Sequence, residues 1–406
     1  MKGLLRRASE LGLYAAAPLA IFVTSPLLAQ GLGPADRGQL GIIQAILSIA
    51  VTLGALGQAE VFLADLRNGS ESLRTSGRLT LAGGITAAIT AAVVAASLGV
   101  DLVTAIVAAA FIPVINQGQL WRSYAVSQHH LMRPAAAGAI GAGVRVAFIA
   151  MLAALGLLST LSAITVIQFA TAAGVVIALG WYVLRTYPHT VIHVTQAQYV
   201  DHLRRGSPIL IFAALTSVTL RADLFFLNDL VDPSTLGVYA AASSLSMSVL
   251  AVSGAFKSRI QSAVFKPGAR RAVYLELAVV LGIGLVGATL AALLSPWIVA
   301  TLLGPGYEAA IPILRILAFA SAALLVLDSV HGLLAVLGLR RSMLAVAAVG
   351  AGVTLITLPL LISVAGASGA AWATVISYSV ASITGLFVVR SALMRERPGD
   401  GVPDRV

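Results

Sequence analysis

Long apolar runs alternate with short polar breaks from one end of this chain to the other. Twelve such runs can be counted, near residues 11–31, 39–64, 79–99, 102–127, 135–156, 161–184, 207–229, 235–257, 273–294, 309–337, 342–363 and 368–390. A helix needs ~20 apolar residues to cross ~30 Å of hydrocarbon, so each run predicts one membrane-spanning helix. Many runs are rich in Ala, Gly, Ser and Thr, which lets helices approach closely in a membrane. Pro18, Pro26, Pro113, Pro312 and Pro359 fall inside runs and predict kinks, tolerated where neighbours or a wet cavity satisfy the freed backbone. The expected fold class is an all-α polytopic membrane protein.

The first break, Gly33-Pro34-Ala35-Asp36-Arg37-Gly38-Gln39-Leu40, returns 199 residues later as Asp232-Pro233-Ser234-Thr235-Leu236-Gly237-Val238-Tyr239. In both copies Pro stands four residues before Gly, as Pro34/Gly38 and Pro233/Gly237. Proline fixes φ and ends one helix, and glycine is expected to permit re-entry into the next. A motif repeated at half the chain length predicts two six-helix lobes. Six is even, so both lobes start on the same side and are related by a pseudo-two-fold axis along the membrane normal. The expected division is an N-terminal lobe at 1–184, a cytoplasmic interfacial linker at 185–206, a C-terminal lobe at 207–393 and a polar cytoplasmic tail at 394–406. The linker holds His189, His193 and His202 and reads as a segment lying along the headgroups. A regulatory or metal role for its histidines is the alternative, although no carboxylate cluster accompanies them.

Composition agrees with the pattern: 59% of the 406 residues are hydrophobic and 10% charged, against about 25% charged in soluble domains. The absence of cysteine excludes disulfides, thiolate metal sites and cysteine nucleophiles. A net charge of +10 would suggest nucleic acid in a soluble chain, but its distribution has a simpler cause. With the N-terminus inside, 21 of the 26 Lys and Arg fall on inner segments, and only Arg37 falls on an outer loop. That bias is the positive-inside rule, and it predicts a cytoplasmic (plasma or inner) membrane protein with both termini cytoplasmic. Arg122, Arg145, Arg221 and Arg315 remain within spans. No G-x-x-x-x-G-K-[ST] pattern is present, so ATP hydrolysis within the chain is not expected to drive it.

Several motifs together carry a family resemblance. Leu32-Gly33-Pro34-Ala35-Asp36-Arg37-Gly38 resembles the turn after helix one of polysaccharide flippases in the multidrug/oligosaccharidyl-lipid/polysaccharide exporter superfamily. Arg221-Ala222-Asp223 followed by Gly237-Val238-Tyr239-Ala240 is similar to its seventh-helix Asp and the start of helix eight. Leu302-Leu303-Gly304-Pro305-Gly306-Tyr307-Glu308, Pro312-Ile313-Leu314-Arg315, the stretch 334–340 and the stretch 365–371 complete the pattern over nearly the whole chain. The resemblance implies translocation of a polyprenyl-diphosphate-linked oligosaccharide for cell-surface polysaccharide biosynthesis, by alternating access of two lobes around a central cavity. It implies no cofactor beyond H+ or Na+ as coupling ion. The partners it implies are the lipid-linked oligosaccharide, membrane lipids, and a glycan polymerase or ligase. No nucleic acid is expected, and the chain is expected to act as a monomer.

Such cargo needs cations in a sheltered cavity, and arginine offers permanent charge with bidentate contacts to phosphate oxygens. An arginine near the bilayer centre costs at least ~2.5 kcal/mol, so each one retained there calls for a reason. Arg145, about ten residues into the fifth run, is the leading substrate-binding candidate; pairing with a buried carboxylate is its alternative. Arg122 is a candidate entry-side phosphate contact or a snorkelling residue, and Arg315 a candidate contact or an outer snorkelling residue. Arg221 and Asp223 are two positions apart on one helix and face different ways. Asp223 is a candidate ion-coupling residue or one end of a salt bridge. Asp328 and His331 share a helix face and read as a proton relay or a packing hydrogen bond. Glu60 is a possible partner of a cavity arginine, and Asp65 is expected to be solvated. Trp121, Trp181, Trp297 and Trp372 read as an aromatic belt, with sugar stacking the alternative for Trp121. Two other functions remain as alternatives: a cation-coupled multidrug antiporter, whose cavity would be dominated by carboxylates and aromatics rather than arginines, and, more distantly, a membrane-embedded glycan polymerase or acyltransferase, which needs catalytic groups on its outer loops.

Overall fold

The computed structural model describes residues 2–67, 72–128, 132–186, 195–248, 250–264 and 269–395. Every element among them is helical. Nine of these helical stretches are long and apolar enough to cross a membrane. Two of the nine, Leu19–Leu66 and Arg340–Met394, run for 48 and 55 residues. At ~1.5 Å per residue each is more than twice the thickness of the hydrocarbon. Each is two spans folded at one glycine: Gly33 has φ 72°, ψ 172° and Gly366 has φ 55°, ψ −133°. A side chain is disfavoured at such torsions, so glycine lets the chain reverse there without a loop. A further span is assembled from Pro233–Met247 and Leu250–Ala263, each under 18 residues. Nine plus two plus one gives twelve, the number the apolar pattern predicts.

The spans are α1 (2–32), α2 (34–54, prolonged after a turn by Gln58–Arg67), α3 (Leu73–Ser97), α4 (Leu102–Ser127), α5 (Met132–Ala154) and α6 (160–186) in the first lobe. The second lobe holds α7 (Gln196–Leu230), α8 (233–263), α9 (269–303), α10 (Ala310–Val336), α11 (340–365) and α12 (367–395). The end of the bundle that carries most Lys and Arg is called inner below, and the end with Gly33 and Asp232 outer.

The two repeated turns meet at the outer end, and the glycines do a different job from the one the sequence suggests. Gly38 and Gly237 both lie inside helices. A Cβ on Gly237 would overlap the Pro34 carbonyl oxygen, and one on Gly38 would lie 2.8 Å from the Pro233 carbonyl oxygen. Equivalent points of the two repeats therefore touch backbone to backbone, which only two glycines permit. Chain reversal is left to Gly33 in the first copy and to an N-cap in the second. Asp232 accepts from the N–H groups of Ser234 and Thr235, both at 3.0 Å, and Pro233 follows at the first helical position. The hydroxyls of Ser234 and Thr235 hold the Asp232 carboxyl below the usual carboxylate range.

At the inner end α2 turns through Leu56 (φ 52°) and Gly57 (φ 64°) before its extension. A Cβ on Gly57 would sit 2.8 Å from the Gly206 carbonyl oxygen, and one on Gly206 would overlap that of Leu56. One helix of the first lobe thus touches α8 at the outer end and α7 at the inner end. Its apolar residues Leu40, Ile42, Ile43 and Ala45 join Leu224, Leu227 and Tyr239 in the largest core, at the lobe junction. Smaller cores fill the inner half of each lobe.

α7 begins at Gln196, capped by Thr195, so the segment 196–206 expected along the headgroups is the first three turns of a 35-residue helix. His202 is buried in the lobe junction at 5% exposure. His189, His193, Lys266 and the tail beyond 395 lie outside the described residues. Trp181, Trp297 and Trp372 are exposed, as an aromatic belt requires, whereas Trp121 is half-buried and packs against the first lobe's inner core beside Gly180.

Gly237→Ala is expected to force α8 away from α2 and to cost about 1–3 kcal/mol. Gly282→Ala on α9, where a Cβ meets nothing within 4 Å, is the neutral control. Thermal unfolding of the purified variants measures the difference, and equal midpoints would refute the close contact.

Candidate functional site: a central arginine cavity

Between the two seams lies a cavity of about 610 Å³, lined from both lobes. α1 supplies Ile21, Ser25 and Leu28; α2 supplies Arg37, Gln44, Leu47, Ser48 and Val51. α4, α5 and α6 add Ile115, Arg145, Gln168 and Thr171, and the second lobe adds Arg221, Ser244, Met247 and Ser248. Three arginines line it and no carboxylate does.

Arg37 is the residue the sequence reading missed. Assigned there to an outer loop, it lies in the first turn of α2 and is 2% exposed. Its Nη2 donates to Ser244 Oγ across the lobe junction at 2.8 Å. Its Nε and Nη1 are buried with no hydrogen-bond partner. A signal existed: Arg37 was the one exception to the 21-to-1 charge bias. Arg145 donates from Nε to Thr24 Oγ1 at 2.9 Å. No carboxylate is paired to it among the described residues, so the buried ion pair offered as its alternative is not formed there. Arg221 makes no hydrogen bond or ion pair among the described residues and also faces the cavity. Guanidinium groups without counter-charges in a concave space can bind an anion by charge-assisted hydrogen bonds.

The other candidates lie elsewhere. Arg122 is exposed on α4 and Arg315 is exposed on α10, where its Nε donates to Ser295 Oγ at 3.1 Å; neither lines the cavity. Glu60 is exposed and does not reach a cavity arginine. Asp223 points into the second lobe, away from Arg221, as the two-residue spacing requires. It is buried, accepts from Tyr239 Oη at 2.6 Å and from the Leu224 N–H at 2.9 Å, and pairs with no cation within salt-bridge distance among the described residues. Asp328 is ion-paired to Lys257 at 3.1 Å, and His331 is buried beside Phe212.

A second cluster closes the inner end. Asp65, expected in solvent, is 4% exposed and holds Arg205 through both carboxylate oxygens. His202 Nε2 lies 3.5 Å from the same carboxylate, and its Nδ1 is 3.3 Å from Gln58 Oε1 and 3.4 Å from Ser76 Oγ. Arg78 adds a bond to Tyr199 Oη at 3.1 Å. The burial has a simple cause: His202 and Arg205 sit one turn apart on the α7 face that packs on α2, so α7 covers the carboxylate. The glycine contact and this latch hold α2 against α8 at the outer end of the cavity and against α7 at its inner end.

The architecture is that of a two-lobed, multi-pass membrane protein. By fold the chain is similar to an inward-facing MATE-family multidrug transporter of the MOP superfamily, at 15% identity over 95% of this chain and all of that one, with a TM-score of 0.68. It is also similar to a Vibrio cholerae MATE transporter, VcmN, at 16% identity over 98% and 97% of the two chains (TM-score 0.67). A third likeness is to the lipid II flippase MurJ in an inward closed conformation, at 13% identity over 92% and 86% (TM-score 0.65). Sequence comparison with curated proteins finds no match. The family described as polysaccharide biosynthesis protein matches residues 11–265. The chain belongs to that family, and it shares the fold of these transporters and of this flippase.

The natural absence of cysteine gives a clean test of the latch. A cysteine replacing Ser48 in the cavity should react faster with a membrane-impermeant thiol reagent from the inner face once Asp65→Asn removes the latch carboxylate. An unchanged rate would show that the latch does not hold the inner end.

Proposed function

We propose that the chain translocates a polyprenyl-diphosphate-linked oligosaccharide from the inner to the outer leaflet of the cytoplasmic membrane for surface polysaccharide synthesis. The observation that carries this reading is the cavity: three arginines, unspent N–H groups and no lining carboxylate. A diphosphate is the group that such a site would hold, with Arg37 and Arg145 from one lobe and Arg221 from the other. Closure of both lobes on one anion gives the cargo a differential affinity for the closed state, which rocking between two open states requires. Gln44, Gln168, Thr171 and the serines offer hydroxyl and amide partners for sugar.

The opposite face of α2 supports the same reading. There a groove of about 860 Å³ is lined almost wholly by apolar side chains of α2, α3 and α7, among them Ile46, Leu53, Leu79, Val94 and Phe225. From Leu79 to Val94 it follows α3 for ~22 Å, most of the hydrocarbon depth. A lipid tail can stay in such a groove while its headgroup crosses on the other side of one helix. A cation-accepting antiporter fits the cavity poorly, since a cationic drug would meet three like charges. Asp223 is the coupling residue proposed for H+ or Na+, with Asp328 and His331 as the further candidates, and both termini are proposed to be cytoplasmic.

In cells that depend on this chain for surface polymer, Arg37→Ala and Arg145→Ala are expected to abolish export while the protein still accumulates in the membrane. Hydrogen bonds to charged groups contribute ~1.5–3 kcal/mol, so each loss should weaken headgroup binding by ~10–150-fold. Arg315→Ala, outside the cavity, should export normally. Normal polymer in both cavity variants would sink the proposal.

A further inference from the structure

Inside the second lobe, away from the arginine cavity, lies a small pocket of about 130 Å³ between α7, α10, α11 and α12. Its lining is apolar apart from Thr216, Thr219, Asp328 and His331. Thr219 spends its hydroxyl on the Leu215 carbonyl at 3.0 Å. Two polar atoms there, Thr216 Oγ1 and His331 Nε2, are buried with no hydrogen-bond partner. His331 is 9% exposed, and the Phe212 ring meets it edge-on with centroids 5.0 Å apart.

One turn away on the same face of α10, Asp328 is paired with Lys257 from the inner half of α8, Nζ to Oδ1 at 3.1 Å. Beside this pair a Cβ on Gly332 would lie 2.6 Å from the Lys257 stem, so the stem lies flat on α10. Gln261 Nε2 donates to the Gly332 carbonyl at 3.2 Å. The ion pair and this bond clasp the inner half of α8 to α10. That half is a separate helix, beginning at Leu250 beyond the break after Met247.

We propose that the pocket is a proton-binding site and that proton uptake at His331 releases the clasp. The inference rests on the flippase reading and names its coupling ion as the proton. Among the described residues, two charged groups face the imidazole: Asp328 on its own helix and Lys257 on α8. α7, α11 and α12 present Thr216, Thr219, Val346, Gly350 and Ala381, none of them titratable. With the clasp closed, His331 is an unspent acceptor beside a carboxylate already satisfied by lysine. A proton on the ring makes an imidazolium one helical turn from Asp328 and within its coulombic field. The carboxylate then has two cations for one charge, and the two cations repel each other. The proton and Lys257 therefore compete, and by linkage the state in which the inner half of α8 has left α10 binds the proton more tightly. A sodium ion suits the pocket badly: it would have to displace Lys257 from the one carboxylate, with two hydroxyls as its other oxygens, one already used.

The test uses spin labels on cysteines replacing Val264, at the end of α8, and Phe319, on the exposed face of α10, in the purified full chain. At pH 8 one distance is expected. A longer one should grow in as the pH falls below about 6.5, the ordinary imidazole value that the ring regains once the clasp opens. His331→Gln should abolish the pH response, and Asp328→Asn should show the longer distance at every pH. Replacing sodium by potassium at fixed pH should change nothing. If His331→Gln does not fold, Lys257→Met gives the same information by showing the longer distance already at pH 8. A pH response that survives in His331→Gln, a parent without any response, or a sodium-dependent shift at constant pH would each overturn the proposal. No glycan enters this measurement, so it stands or falls separately from polymer export by the arginine variants.

Discussion

Three like charges share one cavity at membrane depth without a carboxylate among them, and that imbalance constrains the rest of the fold. A guanidinium facing lipid is costly, and two near each other repel. The arrangement persists only if the arginines look inward to a polar space that both lobes enclose. Thr24 and Ser244 offset a small part of the charge with hydroxyl oxygens, and Arg37 reaches Ser244 only because the lobes are in contact. Two N–H groups of Arg37 remain buried and unspent, which is expensive unless a ligand takes them in some state of the cycle. A diphosphate at this place would lower the energy of the closed form more than that of any open one.

The enclosure hangs on α2. Its outer end meets α8 through two glycines, its inner end meets α7 through Gly57 and the Asp65 carboxylate, one side faces the cavity and the other the apolar groove. The two seams differ in kind. The outer contact is backbone on backbone, with little polar chemistry to rearrange. The inner one is a charge network in which Asp65 and His202 are buried and Arg205 is exposed, so parting the helices would leave the carboxylate to be rehydrated. The two ends of one helix are thus held by contacts of different chemistry, which the proposed alternation between open ends would use.

Much of this was legible in the chain. Period, run length and charge bias gave twelve spans, and the Pro–Gly repeat marked the turns that cross at the outer seam. Arg145 and Arg221 stood out because membrane depth makes an arginine costly. What escaped was whatever depends on contacts between distant segments. Arg37 reads as a loop residue because Gly33 reverses the chain without a loop, so the helix begins before the polar residues end. Asp65 and His202 read as interfacial because each alone is a polar residue at a helix end; only α7 packing on α2 buries them together. The glycines were singled out for flexibility, yet their use is close approach, and local sequence does not separate the two.

α7 carries a group of each functional set. Its inner turns hold His202 and Arg205 in the latch, Thr216 lines the proton pocket, Arg221 faces the cavity and Asp223 is bonded to Tyr239. A continuous helix would move all of these as one body. Pro208 lies between the latch and the rest, and it removes the hydrogen bond that the Arg204 carbonyl would otherwise accept along the helix. Ser207 Oγ donates to that carbonyl at 2.9 Å instead, so bending there leaves no backbone group orphaned. A bend there would move the latch while Arg221 and Asp223 keep their places, which would let the inner end open without disturbing the cavity arginines.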